Sequence, residues 1–236
     1  MVQGPRGRTA RRSGSGRVQL MASSALHLGA SCGARAVCVL VHGRGQSPEE
    51  MQSHILSRLD VADIAFCLPR AEEGSWYAAR AVDSLTESTK AALQVALDHL
   101  EREVTRARTS YPGLPLVLAG FSQGACLSLE YVFSGRPAPE ALVAFTGCRV
   151  GQPADGLPQA LPANLPVYLT GSDADPWIPV TAFAEAVLDL GRGQARARSD
   201  LFPGRGHEVS DAEVTMLQSV LADLASGKTP GMAAPR

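Results

Sequence analysis

The sequence predicts an α/β domain in which helices cover both faces of a mostly parallel sheet. Short apolar runs typical of buried parallel strands alternate along the chain with segments of helical periodicity. The 236 residues suit one such domain, and a hydrophobic fraction of 45% excludes a disordered chain. Each motif that could carry catalytic chemistry follows a predicted strand, which is where open α/β sheets carry their functional groups.

Three strands and two helices are predicted in the first half of the chain. Short runs of β-branched or other apolar residues predict the strands at 36–41, 63–67 and 114–119. Ser47, Pro48 and Glu50 supply an N-cap, a first-turn proline and a capping-box glutamate, which predict a helix to about residue 59. Apolar residues at i, i+3 and i+4 spacing predict a long amphipathic helix over 82–108.

The second half continues the alternation and defines the ends of the domain. Strands are predicted at 142–146, 166–170 and 195–202, and helices at 123–134, 179–190 and 210–225. Ser210 and Glu213 have the spacing of a capping box at the start of the last helix. We therefore predict one domain over residues 23–226, a basic disordered leader at 1–22 and a flexible tail at 227–236.

Charge is distributed unevenly along the chain. The net charge is −1, yet residues 1–20 hold five arginines and no acidic residue, so the remainder carries −6. This acidity disfavours nucleic acid as a partner of the domain. The basic segment is interpreted as a leader or as a misassigned start ahead of Met21. An export signal is the weaker alternative, because Ser and Gly rather than an apolar stretch follow Arg11 and Arg12.

Cysteine usage and hydropathy bear on location. The five cysteines form no CxxC pair and four lie in apolar segments, which is typical of reduced thiols in the cytoplasm rather than of disulfides. No apolar run approaches the ~20 residues of a membrane helix. We predict a cytoplasmic protein without an integral membrane segment, and leave open whether it forms a homodimer.

Gly120-Phe-Ser-Gln-Gly124 lies directly between a predicted strand and a predicted helix. A strained strand–turn–helix elbow lifts a serine hydroxyl clear of the sheet, and flanking glycines let strand and helix approach closely. The motif alone is weak evidence, but this context makes Ser122 the candidate nucleophile. The alternative is a glycine-rich turn with a passive serine.

A serine nucleophile needs a base and an acid that orients it. Among the five histidines, His207 lies in a loop that precedes the last helix, so we predict it as the base. The acid is expected between Ser122 and His207 in the chain. Asp175, beside Pro176 in a turn after a predicted strand, is favoured, and Asp173 remains the alternative.

His42-Gly-Arg-Gly45 follows the first apolar strand. Backbone N–H groups in such a loop can stabilise the oxyanion that forms during acyl transfer. We predict that the amides of Arg44 and Gln123 form this oxyanion hole. A phosphate-binding loop is the alternative, but no Gly-Lys-Ser/Thr follows.

Four motifs in this order resemble the phospholipase/carboxylesterase branch of the α/β-hydrolases, to which acyl-protein thioesterases belong. They are His42–Pro48, Gly120–Leu127, Asp173–Pro179 and Gly206-His207, and the resemblance covers about residues 25–225. It implies an α/β-hydrolase fold without a large cap domain, a Ser122–Asp175–His207 triad, and hydrolysis of carboxylic esters or thioesters. It also implies that no metal and no cofactor is needed. Trp177 stands where bacterial relatives often carry His.

These observations predict a serine carboxylic-ester hydrolase that forms an acyl-enzyme on small to medium acyl esters. The alternatives are an acyl-protein or lysophospholipid thioesterase-type hydrolase and a non-catalytic relative that binds a ligand. Trp76, Tyr77 and Trp177 lie in loops at the predicted catalytic edge, so we expect them in the substrate pocket, with loop anchoring as the alternative. The expected partner is a small-molecule ester.

Overall fold

A seven-stranded sheet forms the centre of the computed structural model, which describes Met1 and residues 25–232. The strand order is β1-β3-β2-β4-β5-β6-β7; β1 pairs antiparallel with β3, and all other neighbours are parallel. The strands are β1 (Leu26–Gly29), β2 (Ala36–Val41), β3 (Ile64–Leu68), β4 (Leu116–Phe121), β5 (Ala141–Phe145), β6 (Pro166–Gly171) and β7 (Arg196–Leu201). This architecture confirms the predicted fold class.

Five α-helices connect and cover these strands: α1 (Pro48–His54), α2 (Glu87–Ser110), α3 (Gln123–Phe133), α4 (Val180–Arg192) and α5 (Asp211–Ala225). The predicted capping box is present at α5, where Ser210 Oγ accepts from the Glu213 N–H and the Glu213 carboxylate accepts from the Ser210 N–H. The first helix is shorter than predicted. It ends at His54 because Ile55 leaves the helical conformation, and a 3₁₀ turn at Leu56–Arg58 follows.

Side chains of the central strands alternate between two apolar cores. In β2, Val37, Val39 and Val41 belong to the core under α2, α3 and α4, whereas Cys38 and Leu40 belong to the core under α1 and α5. Successive strand residues point to opposite faces of a sheet, so burial on both faces requires the continuous apolar run from which this strand was predicted. None of the described helices is long and apolar enough to cross a membrane.

The chain reverses its direction across the sheet between β2 and β4. From β2 it moves outward to β3, on whose far side β1 lies, and from β4 it moves the other way through β5, β6 and β7. The loops that follow neighbouring strands at such a switch point diverge and leave a crevice at the carboxyl edge of the sheet. Val41 and Gly120 are register partners in β2 and β4, so the loops after these strands begin side by side.

The structure adds two features of the chain ends to the sequence-based description. The antiparallel edge strand β1 was not predicted, because Leu26–Gly29 is only half buried and lacks a long apolar run. The segment predicted as a flexible tail packs against α5 as far as it is described: the Gly231 N–H donates to Asp223 at 3.0 Å, and Pro230 is buried. Of the predicted leader, all residues but Met1 lie outside the described part of the chain.

Candidate active site

Ser122 occupies a sharp turn between β4 and α3 with a φ of +55°. Few residues other than glycine adopt a positive φ, and they do so only where the surroundings hold them. Here the Ser122 N–H donates to Phe145 O at 3.0 Å, and Ser122 O accepts from the Cys126 N–H at 2.9 Å. The turn is therefore fixed on both sides by backbone hydrogen bonds, and the hydroxyl projects above the sheet edge.

The glycines on either side of Ser122 allow this close approach. A Cβ on Gly124 would come within 2.6 Å of His42 O and closer still to Val41 O, and one on Gly120 would come within 2.5 Å of the Gly124 carbonyl. Both neighbours are backbone atoms that cannot rotate aside. The sequence needs glycine at these two positions because α3 begins directly against the ends of β2 and β4.

Three side chains from separate loops meet above the sheet edge. His207 Nε2 lies 2.7 Å from Ser122 Oγ, and His207 Nδ1 lies 2.7 Å from Asp175 Oδ2. A carboxylate only accepts hydrogen bonds, so the Nδ1 proton must reside on His207, which leaves Nε2 as an acceptor for the serine proton. The structure thus brings together the three residues that the sequence predicted.

Asp175 is shielded from solvent, and hydrogen bonds compensate its burial. Its side chain has no exposed surface, and Oδ1 accepts from the N–H groups of Trp177 at 2.7 Å and Ile178 at 3.0 Å. Such donors satisfy the hydrogen-bonding capacity of a buried carboxylate and orient it. Asp173, the alternative acid, instead accepts from the Gly204 N–H at 2.7 Å and fastens the loop that carries His207.

The backbone amides of Arg44 and Gln123, two residues that line one cavity with Ser122, have no hydrogen-bond partner in the described part of the chain. The Gly43 N–H donates to Gln46 Oε1 and the Gly45 N–H donates to Gly74 O, whereas neither the Arg44 nor the Gln123 N–H donates a hydrogen bond within the described chain. Gln123 is the first residue of α3, where the helix dipole places partial positive charge. Two adjacent donors of this kind can stabilise a negatively charged oxygen.

His42 is completely buried and holds the Arg44 loop. Its Nδ1–H donates to Gly43 O at 2.7 Å, and its Nε2 accepts from the Ala71 N–H at 3.0 Å. The C=O and N–H of one trans peptide point in opposite directions, so anchoring Gly43 O directs the Arg44 N–H away from His42. Burial lowers the pKa of His42, in keeping with a neutral ring whose Nε2 must accept.

The buried His42 is expected to make stability depend on pH. Its folded-state pKa lies below the unfolded value of about 6.5, so its contribution is complete above that value and is lost as the pH falls through the folded pKa. The urea midpoint should therefore drop more steeply between about pH 7 and about pH 5 in the wild type than in His42→Gln. Burial also lowers the pKa of His99. Because both proteins contain His99, it contributes equally to both pH profiles. Parallel slopes would contradict this role.

A cavity of about 250 Å³ opens beside Ser122. Six of the predicted site residues line it: Arg44, Tyr77, Ser122, Gln123, Trp177 and His207. Trp177 stands at its edge with 60% of its surface exposed. Among the described residues, no group of three or more His, Cys, Asp or Glu side chains is arranged to hold a metal ion.

The structure places Trp76 elsewhere and thereby corrects the prediction for this residue. Its indole is 7% exposed and packs between the rings of His42 and His99, at centroid distances of 5.0 and 5.5 Å. Its Nε1–H donates to His42 O at 2.8 Å. Trp76 therefore supports the loop that carries Arg44 and does not line the cavity.

Comparison with known proteins identifies the family. A profile described as Phospholipase/Carboxylesterase matches residues 30–225. The chain belongs to the phospholipase/carboxylesterase family. Membership makes it a hydrolase of the carboxylesterase or phospholipase type with the α/β-hydrolase fold. No curated protein matches its sequence.

Solved structures of related proteins agree with this membership. A phospholipase/carboxylesterase from Dyadobacter fermentans is 27% identical with a TM-score of 0.74, and the match covers 85% of this chain and 96% of that one. Esterase PE8 is 24% identical with a TM-score of 0.71, covering 86% and 99%. Zea mays acyl-protein thioesterase 2 is 16% identical with a TM-score of 0.68, covering 86% and 99%. The last two show the fold alone.

Several residues that line the cavity of this phospholipase/carboxylesterase family member were not predicted from the sequence. Arg80, Ala81, Cys126 and Ile178 also line the cavity. Cys126 and Ile178 could have been inferred, because one lies a helical turn after Ser122 and the other follows Trp177. Arg80 and Ala81 belong to a loop without a recognisable motif.

The side chain of Gln123 has a role that the sequence did not indicate. Its Oε1 accepts from the Trp76 N–H at 3.0 Å, and its Nε2 donates to Tyr77 O at 2.7 Å. The residue after the candidate nucleophile thus holds the loop that places Tyr77 in the cavity wall. Burial raises the pKa of Tyr77 well above its usual value, so its hydroxyl stays neutral.

Proposed function

We propose that this protein is a serine carboxylic-ester hydrolase that acts through an acyl-enzyme on small to medium acyl esters. The observation that carries the proposal is the hydrogen-bonded chain from Ser122 Oγ through His207 to the buried Asp175. A serine hydroxyl becomes nucleophilic when a base accepts its proton, and the carboxylate stabilises the imidazolium that results. Family membership supports the same class of reaction.

The proposed mechanism uses each described group once in each half-reaction. His207 Nε2 accepts the proton of Ser122 as Oγ attacks the ester carbonyl, and the Arg44 and Gln123 amides stabilise the oxyanion. His207 then protonates the departing alcohol, which leaves Ser122 acylated. A water molecule gives its proton to His207 and attacks the acyl carbon, and the acid leaves as Ser122 recovers its proton.

The size of the cavity supports short substrates. At about 250 Å³ it lies slightly below the ~300–1,000 Å³ usual for pockets that bind drug-sized ligands. With p-nitrophenyl acetate, butyrate, octanoate and palmitate, we expect kcat/KM to be highest for acetate or butyrate and lowest for palmitate. Preference for a palmitoylated peptide or for palmitate would instead favour a thioesterase-type hydrolase acting on acylated proteins.

Labelling by a fluorophosphonate probe tests the proposed nucleophile directly. Ser122 Oγ should form a bond to phosphorus as fluoride leaves and His207 takes the serine proton. We expect one adduct per chain, located on the peptide that contains Ser122 by mass spectrometry, and no adduct on heat-denatured protein. Native protein that stays unlabelled, as a non-catalytic relative would, contradicts the proposal.

A cytoplasmic location is proposed on the state of the cysteines. Cys32 is exposed and Cys38, Cys67, Cys126 and Cys148 are buried, and all five are free. Exposed free thiols persist in the reducing cytoplasm and are uncommon in secreted proteins.

A further inference from the structure

The cavity beside Ser122 contains two arginines and no carboxylate. Arg44 and Arg80 line it, and none of its other lining residues is acidic. Asp175, the acid of the proposed triad, lies behind His207, and its side chain has no exposed surface. The cavity is therefore positive within a domain that carries an excess of acidic residues.

The charge of Arg44 is held in place but not neutralised. Its guanidinium donates to Ala78 O at 2.8 Å and to Ala79 O, which are carbonyl groups and carry no net charge. Arg44 is exposed, and in the described chain no carboxylate lies within ion-pair distance of it. The side chain is thus fixed against the loop that precedes Arg80.

Arg80 adds a second charge to the lining of the cavity, and no ion pair neutralises it. Its backbone N–H donates to Asp83 Oδ2 at 3.3 Å, yet its guanidinium makes no ion pair with that carboxylate or with another described one. The amino end of α3 adds partial positive charge to the same space at Gln123. Three sources of positive potential therefore converge on a small cavity.

We propose that the cavity selects esters bearing a carboxylate within a few bonds of the scissile bond, which Arg44 and Arg80 bind. This inference rests on the proposed esterase function and names its substrate class. The small volume of the cavity keeps the ester carbonyl and the anionic group of one substrate close together. Arginine forms charge-assisted, bidentate hydrogen bonds with carboxylates, which favours this anion over a neutral group of equal size.

Matched pairs of esters test the selection. On the acyl side, monoethyl succinate is compared with ethyl isocaproate, in which an isopropyl group replaces the carboxylate. On the alcohol side, para-acetoxybenzoate is compared with para-isopropylphenyl acetate. We expect kcat/KM of the wild type to favour the anionic member of at least one pair by about tenfold. Equal or better hydrolysis of the neutral member in both pairs overturns the inference.

Arg80→Gln connects the preference to the cavity. The ratio of kcat/KM between the anionic and neutral esters should fall by about three- to tenfold in this variant. Arg102→Gln on α2 removes the same charge away from the cavity and should leave the ratio as in the wild type. Added salt should lower the wild-type ratio, because it screens exposed charges. A ratio that Arg80→Gln and salt leave unchanged overturns the inference.

Failure of this inference is distinguishable from failure of the proposed function. If the protein hydrolyses the neutral esters and is labelled at Ser122 but shows no preference for the anionic esters, the proposed function stands and the proposed substrate class is wrong. If it hydrolyses none of the four esters and resists the fluorophosphonate, both the proposed function and the proposed substrate class are wrong.

Discussion

Ser122→Ala is expected to lower kcat for p-nitrophenyl butyrate by roughly 10³-fold or more. Alanine removes the Oγ atom that lies 2.7 Å from His207 Nε2, so no acyl-enzyme can form. The residual rate would come from the Arg44 and Gln123 amides and from substrate binding. Release of p-nitrophenolate under saturating substrate measures the change in kcat, and thermal unfolding verifies that the variant is folded.

The control for Ser122→Ala is the same chemical change at a distant serine. Ser219 lies on α5, where its hydroxyl donates to Thr215 O at 3.0 Å, and Ser219→Ala should keep the wild-type kcat. A Ser122→Ala protein with nearly full turnover would remove Ser122 from the mechanism and leave its positive φ without a functional explanation.

The strands buried on both faces and the edge strand β7 could be predicted from the sequence, whereas the edge strand β1 could not. The apolar run at β2 matches the observed element, because a central parallel strand must present apolar residues to both cores. Leu26–Gly29 has only four residues and is half buried, so its composition carries no comparable signal. The prediction for β4 ended two residues early, since Gly120 and Phe121 read as part of the turn motif.

The site residues that lie in recognisable sequence motifs could also be predicted, but the side chains that support those motifs could not. Ser122, Asp175 and His207 each follow a strand, so one sheet edge brings them together. The burial of Trp76 and the hydrogen bonds of Gln123 depend on how the loop between β3 and α2 folds back over α3. Contacts of this kind join residues 34 to 47 positions apart, and no local pattern encodes them.

Gly124→Ala is expected to destabilise the fold by about 2–4 kcal/mol and to lower kcat, although alanine is the better helix former. The added Cβ would overlap His42 O and Val41 O, so either α3 or the end of β2 must move. Moving β2 displaces the loop that carries the Arg44 amide, and moving α3 displaces Ser122 and the Gln123 amide. Urea unfolding and p-nitrophenyl butyrate turnover measure the two effects.

Gly191→Ala separates this steric effect from the general consequence of replacing glycine in a helix. Gly191 lies in α4, and nothing stands within 4 Å of the position its Cβ would take. Alanine there should stabilise the protein by about 0.5–1 kcal/mol, because glycine loses more backbone entropy on folding. Opposite signs for the two substitutions would show that Gly124 is required by the packing of α3 against β2. Equal signs would mean that the elbow tolerates a side chain, and the close approach would then not explain the second glycine of the motif.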